Sequence, residues 1–313
     1  MDKKIQSNGM KRRRFLQIGS AFAASAIFYP ISGSNVFGAV NGTIPKIPTV
    51  RLNNGLQMPR LGFGTNTLKG DIGERSVYDA ISVGYRLIDT AAVYGNEEAV
   101  GAGIKKSGIK REELFVTSKL WVDDSGYENS KKAFQTSLDK LGLGYLDLYL
   151  YHRPRGDVKG SWKAMEELYG AGKIKAIGVS NFDPAQLAEL MSYAKIKPVI
   201  NQIETHVFFQ EHILYDDLKK KDVQMEAWSP FAAGRNGIFT NEILAALGKK
   251  YNKSIAQVVL RWHFQRGLVA IPRSSQKPHM IENLNIFNFE LSNSDMQIIA
   301  KLDLNTTQFP EWS

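Results

Sequence analysis

Cysteine is absent from all 313 residues, which excludes disulfides and thiolate metal sites and is compatible with an oxidising compartment. No run of about 20 uninterrupted apolar residues occurs, so no segment of the body is expected to span a bilayer. Acidic residues are missing between Asp2 and Asp71. The formal charge of +9 says less than it first suggests. Lys3, Lys4, Lys11, Arg12, Arg13 and Arg14 face Asp2 alone within residues 1–38, which leaves +4 of that +9 to the remainder. A mature charge of this size does not call for a basic nucleic-acid face, and no nucleic-acid partner is expected.

The first 38 residues read as an address. Arg12-Arg13-Arg14-Phe15-Leu16 heads a modestly apolar run to Tyr29, followed by Pro30 and the small-residue exit Ser32-Gly33-Ser34. A positive head, an apolar middle and small residues before a cleavage point make a signal peptide. The paired arginines before Phe-Leu resemble a twin-arginine export signal, which moves folded proteins. Residues 1–38 are expected to meet the export machinery and the mature chain to be periplasmic or otherwise exported. If the segment is not a working signal, the location is cytoplasmic. The missing cysteine excludes a lipoprotein anchor.

The body opens with Val50-Arg51-Leu52-Asn53-Asn54-Gly55-Leu56, where Asn-Gly between short apolar runs predicts a hairpin with positive φ at both turn residues. Eight short β-rich runs follow: Leu61–Gly64, Tyr85–Asp89, Leu114–Ser118, Tyr145–Tyr151, Ile174–Val179, Val199–Gln202, Val223–Ala227 and Leu268–Ile271. Amphipathic stretches separate them, among them Gly73–Val83, Tyr127–Leu141, Trp162–Tyr169, Pro184–Tyr193, Glu211–Lys220 and Ile255–Gln265. Alternation of this kind implies parallel βα units. A doubly wound sheet would carry G-x-G-x-x-G after its first strand, where this chain has Gly62-Phe63-Gly64-Thr65-Asn66. The expectation is an α/β chain with one (β/α)8 barrel over residues 43–313, entered by a β-hairpin, its site at the strands' carboxyl ends.

Chemistry concentrates at three of those ends. Asp89 closes the second run and Tyr94 follows five residues later, while Lys119 follows the third and His152 the fourth. Neighbouring strands lie about 4.8 Å apart, so side chains at one height can touch. A free phenol ionises near pH 10; an adjacent ammonium lowers that value towards the working range, a carboxylate keeps the ammonium oriented, and a neutral imidazole aligns a carbonyl. Singly, Asp89 also reads as a helix cap, Tyr94 as a surface or interface tyrosine, Lys119 as a solvated loop residue and His152 as a satisfied histidine. Together they make a site that donates a proton to an oxygen gaining negative charge. His206 and His212 near Glu204 make a weak metal pattern and are expected to be surface histidines, with no metal.

The segments Asp89-Thr90-Ala91-x-x-Tyr94-Gly95-Asn96-Glu97, Ser118-Lys119-Leu120-Trp121, Leu148-Tyr149-Leu150-Tyr151-His152, Gly178-Val179-Ser180-Asn181-Phe182 and Ile271-Pro272-Arg273-Ser274 resemble signature blocks of the aldo-keto reductase family, in order from about Val50 to Leu304. The resemblance implies an NAD(P)H-dependent monomer that reduces aldehydes or ketones, sugar-derived carbonyls included. It makes Tyr94 the general acid, Lys119 and Asp89 its supports, and His152 the residue that orients the carbonyl. It also implies cofactor contacts from Gly64, Thr65 and Asn66, and from Ser180, Asn181 and Gln202 at the nicotinamide carboxamide. Trp228 stands where the family stacks a tyrosine on the nicotinamide, and a larger indole still offers a π face. Ser229, Phe231 and Gly234 fall at the pyrophosphate, Arg273 and Ser274 at the adenosine 2′-phosphate, and Glu282 and Asn283 at adenine. His279 stands where the family carries arginine, so NADP(H) is expected while NAD(H) stays open. Asn66, Trp121, His152 and Trp312 are expected to wall the substrate, and the short tail after Leu304 suggests an open pocket. The competing readings are a cofactor-binding sensor or partner subunit without turnover, and a metal- or phosphate-dependent barrel enzyme.

Overall fold

The computed structural model describes residues 46–312, so the signal-peptide reading of residues 1–38 lies outside the described residues. The chain enters through a hairpin, β1 (Thr49–Arg51) against β2 (Gln57–Pro59). Its turn departs from expectation. Only Gly55 adopts a positive φ, +89°, while Gly55 N donates to Leu52 O at 2.8 Å and Leu52 N to Leu56 O at 2.9 Å. This is the three-residue loop with a left-handed glycine rather than a two-residue turn. Asn53 and Asn54 are thereby freed to donate side-chain bonds to Pro198 O, Asp222 O and Lys175 O. Those bonds fasten the turn to loops preceding later strands, while Leu52 and Met58 pack with Leu87, Leu148, Val199 and Val269. The hairpin therefore covers the amino-terminal end of the sheet.

Eight parallel strands follow in consecutive order: β3 (Phe63–Gly64), β4 (Leu87–Asp89), β5 (Phe115–Leu120), β6 (Leu148–Tyr151), β7 (Ile177–Ser180), β8 (Ile200–Glu204), β9 (Gln224–Trp228) and β10 (Val269–Ala270). Closure comes from Gly62 N to Ala270 O at 2.8 Å, Gly64 N to Pro272 O at 3.0 Å and Ala270 N to Arg60 O at 3.2 Å, with Leu61 bridged in parallel to Ala270. The fold is the expected (β/α)8 barrel with its hairpin.

Among the described residues, ten helices surround the strands: α1 (Gly70–Val83), α2 (Glu97–Ser107), α3 (Tyr127–Leu141), α4 (Val158–Gly170), α5 (Pro184–Tyr193), α6 (His212–Lys220), α7 (Glu242–Tyr251), α8 (Ile255–Gln265), α9 (Lys277–Leu284) and α10 (Asn293–Ala300). Apolar periodicity marks α1, α3–α6 and α8. In α1 it buries Val77, Ala80 and Ile81, the i, i+3, i+4 stripe of a helix lying on a sheet. It does not mark α2, whose packing face includes Gly101 and Gly103. A methyl on Gly101 would stand 2.3 Å from Leu141 O, and one on Gly103 2.6 Å from Glu74 O. Close backbone approach at these glycines, beside buried Val100 and Ile104, seats that helix. No described helix is long and apolar enough to cross a membrane.

Candidate active site

Parallel strands that all end on one side deliver their last residues to one rim, and here they deliver opposite charges. Lys119, in β5, is wholly buried. Its Nζ donates to Asp89 Oδ1 at 2.5 Å, Thr90 O at 2.9 Å and Tyr94 OH at 3.4 Å. Asp89 is therefore a salt-bridge partner and not a helix cap. Tyr94 reaches the ammonium because a short turn, Ala92–Tyr94, ends at left-handed Gly95. Asn96 anchors that turn by donating to Thr65 O and Leu68 O, both at 2.8 Å, and by accepting from Thr90 Oγ1.

Across the barrel, Gln202 Nε2 donates to Asp89 Oδ2 at 2.8 Å and Glu226 Oε2 at 2.9 Å. Asp89 thus receives a donor on each oxygen, the pattern of an ionised carboxylate. Glu226 differs, since its Oε1 is buried with no hydrogen-bond partner among the described residues. Burial, and then repulsion from Asp89, pushes its carboxyl up to about 8, so it holds a proton at neutrality. Sequence reasoning missed Glu226, which reads there as one more polar residue in a strand.

His152 is buried, and its ring meets Trp121 and Tyr94 edge-on at 5.2 and 5.9 Å between centroids. Its Nδ1 has no partner among the described residues. Burial, with Lys119 and Arg153 acting in the same direction, holds the imidazole well below its usual range, so it is neutral at physiological pH, as expected. Tyr94 corrects an expectation. Desolvation raises its hydroxyl above the ordinary phenol range and outweighs the opposing pull of Lys119. Burial alone would depress the Lys119 ammonium, but Asp89 and Tyr94 together carry it above the usual lysine value. The site therefore keeps a proton on Tyr94 over a charged, oriented ammonium.

A cleft of roughly 820 Å³ opens over these groups. Of the residues expected there, Gly64, Thr65, Asn66, Asp89, Tyr94, Trp121, His152, Asn181, Gln202, Trp228, Ser229, Phe231, Arg273 and Trp312 line it. Lys119 lies beneath its floor, in bonding reach of Tyr94. Ser180 lies behind Asn181, its hydroxyl spent on Gln202 O at 2.8 Å. Gly234 falls just beyond the lining, left-handed at φ +81°. Ser274 is also off the wall, its Oγ accepting from Gln276 N at 3.0 Å. His279 and Glu282 sit on α9 outside the cleft, and Asn283 is buried there. His206 is fully buried and paired with Glu204 Oε1 at 2.9 Å, contrary to the surface reading, because Glu204 satisfies it inside the fold. No group of acids and histidines suited to a metal occurs among the described residues.

The cleft walls also include Lys69, Arg153, Arg155, Arg235, Phe309 and Glu311, none of which periodicity or motif had singled out. The short tail contributes more than expected. Arg235 NH2 donates to Glu311 Oε1 at 2.5 Å and Asn236 donates to Gln308, while Phe309 and Trp312 pack on Trp228 at 5.1 and 5.6 Å between ring centroids. The tail thus builds part of the cleft wall.

The wall reads as a dinucleotide groove. The cleft that holds Tyr94 and His152 is also lined by the amides of Asn181 and Gln202, the indole of Trp228, Ser229–Phe231 and Arg273. Gln202 commits its nitrogen to two carboxyls, and its Oε1 accepts no hydrogen bond among the described residues. Asn181 accepts from Trp228 Nε1 at 2.9 Å, fixing the indole. Ser229, Ala232 and Ala233 have left-handed φ of 48°, 48° and 49°, the type of loop that turns backbone N–H groups onto phosphate.

An acid–base centre at the rim of a closed barrel beside such a groove defines a nicotinamide-type barrel oxidoreductase. Residues 60–304 match the Aldo/keto reductase family model, and the chain belongs to that family, whose members use NAD(P)H. It is 51% identical over 257 residues to a glyoxal reductase of Bacillus subtilis (strain 168), covering 82% of this chain and 92% of that one. It is 42% identical over 260 residues to a methylglyoxal reductase of Escherichia coli (strain K12), covering 82% and 94%. A Bombyx mori aldo-keto reductase solved in complex with NADP superposes with a TM-score of 0.80 at 37% identity, covering 84% of this chain and 95% of that one.

Proposed function

We propose that this protein reduces small aldehydes and ketones with NADPH, with Tyr94 as the proton donor. The observation that supports this best is Lys119, a buried ammonium held between Asp89 at 2.5 Å and the Tyr94 hydroxyl at 3.4 Å on the floor of the cleft. The names of the glyoxal and methylglyoxal reductases among its relatives point to compact carbonyl substrates. When bound, the nicotinamide supplies the hydride. The chain's own residues do the rest. Neutral His152 donates a hydrogen bond to the carbonyl oxygen and aligns it, and Tyr94 hands that oxygen its proton as charge develops. Lys119 stabilises the phenolate left behind, and Asp89 keeps the ammonium charged and aimed. Trp121 and Trp312 wall the substrate and exclude water. Asn181, Gln202 and Trp228 hold the nicotinamide, Ser229 and Phe231 the pyrophosphate, and Arg273 the 2′-phosphate, whose geometry suits a guanidinium fork.

Tyr94→Phe tests the assignment. NADPH-dependent reduction of methylglyoxal should fall about 100- to 10,000-fold, the range a positioned acid supplies. NADPH binding, followed by quenching of tryptophan fluorescence, should persist. Turnover within a few fold of the parent would remove Tyr94 from the mechanism.

A further inference from the structure

Arg153 follows His152 directly on the loop leaving β6 and lines the cleft half-buried. Among the described residues its guanidinium makes no ion pair and no side-chain hydrogen bond, a costly position for a partly desolvated cation. Nearby carboxylates are already committed. Glu204 accepts from His206 Nε2 at 2.9 Å, Thr307 Oγ1 at 2.5 Å and Gln308 N at 2.8 Å, Glu311 holds Arg235, and Asp157 caps α4 through Gly160 N. Arg155 and Lys69 also line the cleft, and neither forms an ion pair among the described residues. With the Asp89–Lys119 and Arg235–Glu311 pairs set aside, the ionic groups left on the substrate side of the cleft are all cations. The Arg153 charge adds the smallest of the downward pulls on the Tyr94 hydroxyl and the His152 imidazole.

We propose that Arg153, with the Arg155 charge close by, recognises an oxyanion on the substrate, so that the preferred substrates are carbonyl compounds carrying a carboxylate or phosphate a few bonds from the carbonyl. This rests on the carbonyl-reductase reading above and narrows its substrate class. A guanidinium gives a carboxylate or phosphate two parallel N–H bonds, which fixes direction as well as strength. Because Arg153 is the next residue after His152, an anion gripped there orients the same molecule whose carbonyl oxygen meets His152 and Tyr94. The neutral and anionic forms of one compound then differ in how well the carbonyl is presented.

The test compares 4-carboxybenzaldehyde with methyl 4-formylbenzoate, and D-glyceraldehyde 3-phosphate with D-glyceraldehyde, all with saturating NADPH. In the parent, kcat/KM should favour the anionic member of at least one pair by about tenfold, the change that a charge-assisted bond carries. The pair with the larger ratio tells carboxylate from phosphate. In Arg153→Gln that ratio should collapse, mainly through KM, and Arg153→Lys should restore part of it. The ratio should also shrink from low to high salt, as a partly exposed charge requires. Quenching of tryptophan fluorescence by NADPH checks that each variant is folded. Turnover of the neutral compounds with no anionic preference, or a ratio unchanged in Arg153→Gln, would overturn the inference while leaving carbonyl reduction standing. No turnover of any of the four would overturn both.

Discussion

Lys119 serves three acceptors with one ammonium, and the geometry that results is sensitive to either partner. Asp89→Asn would leave that ammonium in a dry site opposite a neutral amide. Removing one member of a buried pair costs about 3–5 kcal/mol, so the midpoint of urea unfolding should fall accordingly and turnover with it. A change below about 1 kcal/mol would mean that the pair is hydrated in solution. The direction of the Tyr94 shift sets the pH response of reduction. Its value is raised by burial, so the donor stays protonated through neutrality, and kcat/KM should decline only above about pH 10. Neutral His152, lowered by burial, should add no acidic limb until well below its ordinary range near pH 6.5. A basic limb near pH 8 would contradict the burial of Tyr94. Glu226 acts on stability instead. Its carboxyl is raised from 4.5 to about 8, so the folded state binds a proton that the unfolded chain has released. Stability is fully present below about pH 4.5 and is lost as pH rises to about 8, by about 1.4 kcal/mol per pH unit. Glu226→Gln should flatten that slope in urea titrations run across this window, and an unchanged slope would place the titration elsewhere.

At the scale of elements, the barrel depends on two kinds of contact that differ in how far the sequence reveals them. The stripe of α1 follows directly from spacing, because Val77, Ala80 and Ile81 share one face. The face of α2 does not, because its closest contacts come from glycine. Alanine is favoured over glycine in a helix interior by about 1 kcal/mol, yet at Gly101 the added methyl would meet Leu141 O at 2.3 Å. Backbone cannot yield as a flexible side chain can, so Gly101→Ala should destabilise by about 1–3 kcal/mol. Stabilisation would show that α2 can slide off α3. The hairpin is similar: alternation announced it, but the single left-handed Gly55 reflects the bonds that Asn53 and Asn54 make to distant loops, which a local rule for Asn-Gly does not contain.

Across the whole molecule, export is a matter of the complete chain. If residues 1–38 are a twin-arginine signal, the barrel crosses already folded and can carry its dinucleotide with it. Replacing Arg12, Arg13 and Arg14 together by Lys should keep the protein in the cytoplasm, and mass spectrometry of the natively purified parent should show a new amino terminus near Gly38 with retained dinucleotide. Normal export of the variant would refute the signal. The strand count, the order of the helical stretches and the residues Asp89, Tyr94, Lys119 and His152 were legible in the sequence, because local spacing decides which residue ends each strand and a barrel sends every strand end to the same rim. Tertiary structure alone decided the sign of the Tyr94 shift, the protonated Glu226 behind Gln202, the burial of His206, and the unpaired Arg153 on the cleft wall. Each of these depends on which distant segments remove water or supply a partner, and a linear pattern holds no record of that.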